Sequence, residues 1–382
     1  MRNYRIMRIA GINYKPAYEG AYRKDPELRH KPYQDQLEAL FKEGSVYANS
    51  FSAAMRALGN ETVDIVDDHE FLQKFWATEH GVHFDPDHWR TDIQLAQIAH
   101  YRPDVVLFQD MYSMPHDVRR HLKRYCSFVK VVCMHKGFPG SVNELKDLDV
   151  MFAGIPTMVA EYRAGGLRAR LLYHYFNDAI LEVLAAEDPR PESVKDHEFV
   201  FLGSSGFGYG MHQSRFRMLA GLLERSTLEA YLHELDRPYP GTDTDPSLPR
   251  KPLAELYPGR SRPPLFGKTM YHALRRSKVS FNRHTDAARG DVGNMKMFET
   301  TGVGCLLLTD NGTNMRDLFE PGSEVVVYDG LEDCLEKVGF LLENDAQREA
   351  IARAGQRRTI RDHSTLRRCE TVHEEINALL GN

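Results

Sequence analysis

The chain has 382 residues, beyond the usual reach of a single hydrophobic core, so two domains are expected. Hydrophobic residues make up 42% and charged residues 27%, as in ordinary globular proteins, and a net charge of -5 lacks the large basic field of a nucleic-acid binder. No stretch approaches the roughly 18 apolar residues of a membrane span, and five scattered cysteines without a CxxC pair (Cys126, Cys133, Cys305, Cys334, Cys369) fit a reduced cytoplasm better than a disulfide framework.

The opening MRNYRIMRIAGINY has no long apolar region and no small-residue cleavage site, and reads as a first strand, not a signal peptide. Short apolar runs rich in β-branched residues follow at TVDIV, DVVLFQD, VKVVCMH and DVMFAG, each bounded by polar or turn residues. Between them VYANSFSAAMRALG, DIQLAQIAHY and PHDVRRHLKRYC carry helical periodicity. This alternation predicts a parallel, doubly wound sheet. From Tyr14 to about Glu43 the chain is polar and aromatic without clear periodicity, and is expected to form a long loop.

A second series begins at EFVFLGSS, where a strand runs into GSSGFGYG, residues 203 to 210, and then into the helical MHQSRFRMLAGLLERS. Strand, glycine loop and helix in that order predict a second Rossmann-like unit. Arg237 to Gly267, rich in Pro, Gly and charge, is expected to be an excursion within it. Helices are predicted at YHALRRS, LEDCLEKVGFLLEN, AQREAIARAGQRRT and LRRCETVHEEINALL. The expected division is 1–190, 191–365 and a terminal helix over 366–382 that crosses back to the first domain.

Open parallel sheets bind ligands beyond the carboxyl ends of their strands, so candidate residues are sought there. The Ser204–Ser205–Gly206 turn offers backbone amides to a diphosphate, with Arg215 one turn into the next helix as a planar cationic fork; equally, the glycines serve a tight turn and Arg215 a solvated face. Glu299 has only acceptors to offer and matches the two vicinal hydroxyls of a ribose; otherwise it is an exposed helix glutamate. Asp291 is placed to accept from sugar hydroxyls, and the amides of Gly293 and Asn294 open the Glu299 helix toward a phosphate or sugar. Lys296 offers positive charge where a nucleoside diphosphate leaves, or is a surface lysine.

Asp110 and His135 end strands of the first half, where an acceptor hydroxyl would be oriented or deprotonated, or where they cap a turn and satisfy a loop. Arg283 and His284 follow the strand KVSFN on the donor side. The D-x-D pairs Asp85/Asp87, Asp147/Asp149 and Asp243/Asp245 do not follow strands in glycine-rich contexts, and His80, His83 and His88 lack a fourth ligand, so no metal site is expected. GxSxG, HExxH and GxxxxGK[ST] are absent.

From Pro264 to Arg368 the runs PLFGKTMYHALRRSKVSFNRH, GDVGNMKMFETTGVGCLLLTD, LFEPGSEVVVYD and HSTLRR resemble the glycosyltransferases related to the spore maturation protein CgeB. Asn282, His284, Asn294, Phe298, Glu299, Gly302, Gly304, His363 and Arg368 match that family's motif positions, while Lys296 stands where arginine is common. Asp291 and Glu299 also resemble the E-x7-E pair of retaining GT-B enzymes, with Asp in first place. The resemblance implies a GT-B fold of two doubly wound Rossmann-like domains facing across a cleft. It also implies a nucleoside diphosphate sugar donor, UDP-sugar by default, held by the C-terminal domain, and the expected activity is metal-independent transfer to an acceptor hydroxyl with no further cofactor. The Asp291 and Glu299 pair favours retention, while inverting chemistry would require Asp110 or His135 as base; the acceptor, a glycan, small molecule or protein, does not follow from the resemblance. The alternatives are a nucleotide-sugar epimerase, or a non-catalytic nucleotide- or carbohydrate-binding component of a surface-assembly complex.

Overall fold

A computed structural model describes residues 3–11, 15–44, 48–109, 112–137, 140–207, 210–234 and 251–381. The chain divides into two compact units, one of residues 1–173 and 365–382, the other of residues 174–364.

In the first unit six parallel strands are ordered β2-β1-β3-β4-β5-β6: β1 Arg5–Ala10, β2 Glu61–Val66, β3 Val105–Phe108, β4 Val131–Lys136, β5 Val150–Ala153 and β6 Ala169–Leu171. Every residue of β3, β4 and β5 is buried, as expected of strands covered by helices on both faces. The register sets Arg8 opposite Asp64, and the buried guanidinium pairs with that carboxylate at 2.8 Å.

The stretch expected to be a loop from Tyr14 to Glu43 instead contains the helices Lys15–Lys24 and Tyr33–Lys42 around a short 3-10 turn, Pro26–His30. Tyr18, Tyr22, Leu28, Tyr33, Leu37, Leu40 and Phe41 are buried there against Leu72, Trp76 and Ile93. Aromatic burial against neighbouring helices outweighs the weak periodicity of short segments with two interrupting prolines. The segment PHDVRRHLKRYC is likewise two single turns, His116–Arg119 and Leu122–Tyr125.

In the second unit the strands are β7 His197–Ser204, β8 Glu229–His233, β9 Ser261–Arg262, β10 Ser277–Asn282, β11 Leu306–Asp310 and β12 Val326–Tyr328. Their order is β12-β11-β10-β7-β8-β9, all pairs parallel. The direction of winding reverses between β7 and β10, the position at which sheets of this order present ligand sites. One core joins Phe199, Phe201, Val279, Phe281, Leu306 and Leu308 of the sheet to Phe216, Leu219 and Leu222 of the helix Gln213–Arg225 and Val338 and Leu341 of the helix Gly330–Glu343.

One boundary differs from expectation, and the return of the last helix agrees with it. Residues 174–190 group with the second unit, because the helix Ile180–Glu187 is anchored there by Lys268 Nζ on Glu187 at 2.6 Å and by Arg275 Nη1 donating to Leu184 O at 2.9 Å. The last helix, Thr365–Leu379, belongs to the first unit, where Cys369, Val372 and Ile376 join the core beneath β1, β3 and β4. Of the excursion Arg237–Gly267, residues 237–250 lie outside the described residues, while the turn Leu253–Leu256 and β9 follow in the second unit.

Candidate functional site

The carboxyl ends of β7, β10 and β11 bring together most of the candidate residues. β7 ends in Ser204, and the chain turns at Gly206 with φ +87°; a Cβ there would meet His212 Cβ at 2.3 Å and its carbonyl oxygen at 2.8 Å, so glycine is required. The turn is internally bonded. Gly206 N donates to Ser204 Oγ and Phe207 N to Ser205 Oγ, each at 3.1 Å, and the Ser205 hydroxyl bonds the Glu234 carboxylate. Residues 208 and 209 of the glycine loop lie outside the described residues.

Arg215 does not present a free fork to a phosphate. Its Nε and Nη2 donate to Arg283 O at 3.0 and 2.8 Å, and its Nη1 to Ser204 O at 3.3 Å. Burial, as the largest influence, pulls its pKa down to about 10. The residue therefore ties the end of β7 to the end of β10. Arg283 itself is partly exposed, its Nε 3.4 Å from Ser214 Oγ and 3.8 Å from Asp310 Oδ2.

His284 is almost fully buried. Its Nδ1 lies 2.8 Å from Asp310 Oδ1, and Asp310 also accepts the His284 backbone N–H at 3.1 Å. On the other side of the ring, Nε2 accepts from Gly293 N at 3.0 Å and from Asn294 N at 3.3 Å. The two amides expected to meet phosphate or sugar are thus occupied by an imidazole, a consequence of pairing between residues that the sequence leaves nine and ten positions apart. Burial acts to raise Asp310, yet the neighbouring His284 and Arg283 hold its carboxyl below the ordinary value. Asn294 caps the helix Met295–Gly302 by accepting from Met297 N at 3.2 Å, and its Nδ2 reaches Asn282 Oδ1 at 3.0 Å.

Asp291 is buried, with Thr313 Oγ1 donating to its Oδ1 at 2.5 Å. Thr313 N donates to Gly290 O at 2.9 Å, and Asn314 closes on Val292 through two bonds of 2.8 Å. The loop after β11 therefore braces the loop that carries Asp291. Both border a pocket of about 550 Å³ whose lining includes Arg283, Asp286, Asp291, Asp310, Asn311 and Tyr328.

Glu299, on the helix Met295–Gly302, is 3% exposed. Lys296 Nζ stands 2.7 Å from its Oε2 and 2.9 Å from Met270 Sδ, so Lys296 is an internal partner of Glu299 and not a surface lysine. The Tyr271 hydroxyl, raised well above the ordinary range by burial first and then by the Glu299 charge, lies against the same carboxylate. Glu299 Oε1 makes no hydrogen bond. A buried carboxylate oxygen left bare is costly unless a donor arrives from outside.

In the first unit, Asp110 lies outside the described residues. His135 is buried within β4, its Nδ1 2.8 Å from Gln109 Nε2 and its Nε2 3.1 Å from Leu172 O. With both ring nitrogens engaged and the pKa drawn down to about 4 by burial, against the raising effect of the Leu172 carbonyl, it is a core residue and not a base at a strand end. Among the described residues no cluster of His, Cys, Asp or Glu could hold a metal ion. Asp147 and Asp149 pair with Arg119 at 2.8 Å and Lys123 at 2.6 Å, and His80 stacks on Trp76 at 4.2 Å. Asp243 and Asp245 lie outside the described residues.

The sequence reading missed Asp310, Thr313, Asn314 and Tyr271. Asp310 had a signal, as an acidic residue closing the apolar run CLLLT at a strand end.

Residues 246–374 match a family model described as glycosyl transferase-like. No curated protein matches the sequence. Among solved structures, sucrose-phosphate synthase from Thermosynechococcus elongatus superposes with a TM-score of 0.59 at 10% identity, covering 100% of both chains. Anabaena HepE in complex with UDP-glucose gives 0.59 at 10% identity over 98% of this chain and 100% of that one. A UDP-N-acetylglucosamine 2-epimerase, so described, from Listeria monocytogenes gives 0.52 at 14% identity over 100% and 97%. The fold is GT-B. Its two Rossmann-like units are those described above, and the glycosyl transferase-like match falls on the strands, loops and helices that carry Asp291, Lys296 and Glu299.

Proposed function

We propose that the protein is a glycosyltransferase, of the CgeB-related type, that moves a sugar from a nucleoside diphosphate sugar to an acceptor hydroxyl. The observation that carries this reading is Glu299, a buried carboxylate with Oε2 paired to Lys296 and Oε1 bare, on the helix that Asn294 caps at the end of β10. A ribose hydroxyl supplies the donor that Oε1 lacks. Arg283, partly exposed at the pocket, is the cation for diphosphate oxygens and for the charge that grows on them as the sugar leaves. Asp291, fixed by Thr313, accepts from a sugar hydroxyl.

With a guanidinium in that position, transfer needs no metal and no further cofactor. In retaining chemistry, which the resemblance of Asp291 and Glu299 to the E-x7-E pair of retaining GT-B enzymes favours, the glycosidic C–O bond to the diphosphate breaks as the acceptor oxygen bonds to the same face of the sugar. The departing phosphate takes the acceptor proton, so no separate protein base is required. UDP-glucose is the first donor to test, because it is the ligand of the HepE structure. A cytoplasmic site of action accompanies this reading, supported by five buried free thiols; no helix among the described residues is long and apolar enough to cross a membrane.

The test is calorimetric titration with UDP, GDP, ADP, CMP and dTDP, with and without Mg²⁺, beside Glu299→Ala. Micromolar binding of one nucleotide, independent of metal and lost in the variant, is the expected result. No binding by a folded sample would sink the donor assignment. The epimerase reading, which the Listeria structure keeps in view, is separated by incubation with UDP-sugar alone: a new sugar epimer without any acceptor would favour it.

A further inference from the structure

His284 reaches three loops at once. Its backbone belongs to the end of β10, its Nδ1 meets Asp310 at the end of β11, and its Nε2 meets the turn that opens the helix Met295–Gly302. The three ring contacts fit one protonation pattern. A backbone N–H can only donate, so Nε2, facing Gly293 N at 3.0 Å and Asn294 N at 3.3 Å, must offer its lone pair. The ionised Asp310 can only accept, so the ring proton sits on Nδ1, 2.8 Å from Oδ1.

The backbone N–H of His284 bonds the same carboxylate, and Thr309 Oγ1 donates to it at 3.2 Å, so Asp310 is itself fixed. Two residues before Gly293 stands Asp291; two and five residues after Asn294 stand Lys296 and Glu299. Whatever fixes the Gly293–Asn294 turn therefore fixes all three.

We propose that His284 is a positioning residue, held by Asp310 in the Nδ1–H tautomer, whose Nε2 lone pair caps the turn at Gly293 and Asn294 and so sets Asp291, Lys296 and Glu299 for the donor. This rests on the nucleotide-sugar reading for its function, and on the hydrogen-bond pattern alone for its chemistry. Exchange of Asp310 for Asn offers Nδ1 a donor as well as an acceptor. That ends the exclusive hold on Nδ1–H and lets the ring populate the tautomer with the proton on Nε2, where it opposes two N–H groups and the cap is lost. A glutamine at 284 can place Oε1 near the Nε2 position and accept from both amides, and it has no tautomer to lose.

The experiment uses the full chain and four proteins: wild type, Asp310→Asn, His284→Gln and the double variant, with His284→Ala as a fifth. Long-range ¹H–¹⁵N spectra of the labelled imidazoles, assigned by the loss of one ring in His284→Gln, are expected to show an unprotonated Nε2 and a protonated Nδ1 at His284 in wild type, and a measurable fraction of the reverse in Asp310→Asn. UDP titration is expected to weaken by about tenfold in Asp310→Asn and in His284→Ala, as for the loss of a capping interaction with its partners left unmet. His284→Gln is expected to keep most of the affinity, and Asp310→Asn to add little in that background. A protonated Nε2 in wild type, or an equal cost of Asp310→Asn with His284 or Gln at that position, would overturn the proposal. If wild type binds no nucleotide, the donor reading falls, and the chemistry is decided by the spectra with amide exchange: faster exchange of Gly293 and Asn294 in His284→Ala supports the cap, and unchanged exchange overturns it.

Discussion

His135 and Arg215 sit at strand ends or one turn beyond, where ligands are expected, and both turn their polar atoms inward. For His135 this sets a pH dependence. The imidazole is buried with a folded pKa of about 4, while an unfolded chain titrates it near its ordinary value of about 6.5. Between those values the unfolded state binds the extra proton, so stability is fully present above about pH 6.5 and declines as pH falls toward 4. The loss attributable to this one group is on the order of 3 kcal/mol. Chemical denaturation at pH 7, 5.5 and 4.5 should show that slope in wild type and a shallower one in His135→Gln, in which no ring titrates. Equal slopes would place the titration elsewhere.

The two arginines separate by the same logic. Arg215→Lys keeps the charge but not the fork that grips Arg283 O and Ser204 O, and should destabilise the protein by about 1–3 kcal/mol. Arg283→Ala, at a partly exposed site, should cost little stability and weaken nucleotide binding severalfold. Thermal unfolding and titration of both variants check the pair, and a reversed outcome would return the phosphate role to Arg215.

At the scale of elements, the helix Asp345–Asp362 carries Gly355 in its interior, where alanine is normally better by about 1 kcal/mol. Here a Cβ would lie 2.3 Å from Glu324 O, a backbone carbonyl that cannot swing away. Overpacking of this kind costs about 1–3 kcal/mol or more, so Gly355→Ala should be net destabilising, measured by the urea midpoint at constant m. A stabilised variant would show that the helix can slide.

The strands β1 to β5, β7 and β10 to β12 were legible because parallel strands buried on both faces leave continuous apolar runs such as VVLF and VVCM. The short helix that carries Glu299 was legible too. The helices between Lys15 and Lys42 were not, because their stability comes from aromatic side chains packing on Trp76 and Leu72 and not from any period of their own. Nor were the partners of Arg215, His284 and Asp291. Those depend on β7 lying beside β10, and β11 beside β10, adjacency that strand order decides and local sequence does not encode.

On the scale of the whole molecule, the first unit is discontinuous, with residues 365–382 returning to the core built by residues 1–173. The attachment is both apolar and polar. Ile376 is fully buried, and His373 Nδ1 lies 3.0 Å from Tyr4 OH. Glu375 meets Arg168 at 2.5 Å and Arg170 at 2.6 Å. The last helix is therefore part of the cooperative unit that holds β1 to β6, although nearly two hundred residues of another unit intervene. Ile376→Ala should cost about 2–5 kcal/mol, as large-to-small changes in closed cores do. Hydrogen exchange gives that loss an address. Amides of β1 to β6 should lose protection together, while those of β7 to β12 keep theirs, since the altered contact belongs wholly to the first unit. Uniform loss across both sheets would mean that the two units unfold as one, and loss confined to residues 365–382 would mean that the helix is an appendage and not a member of the first core.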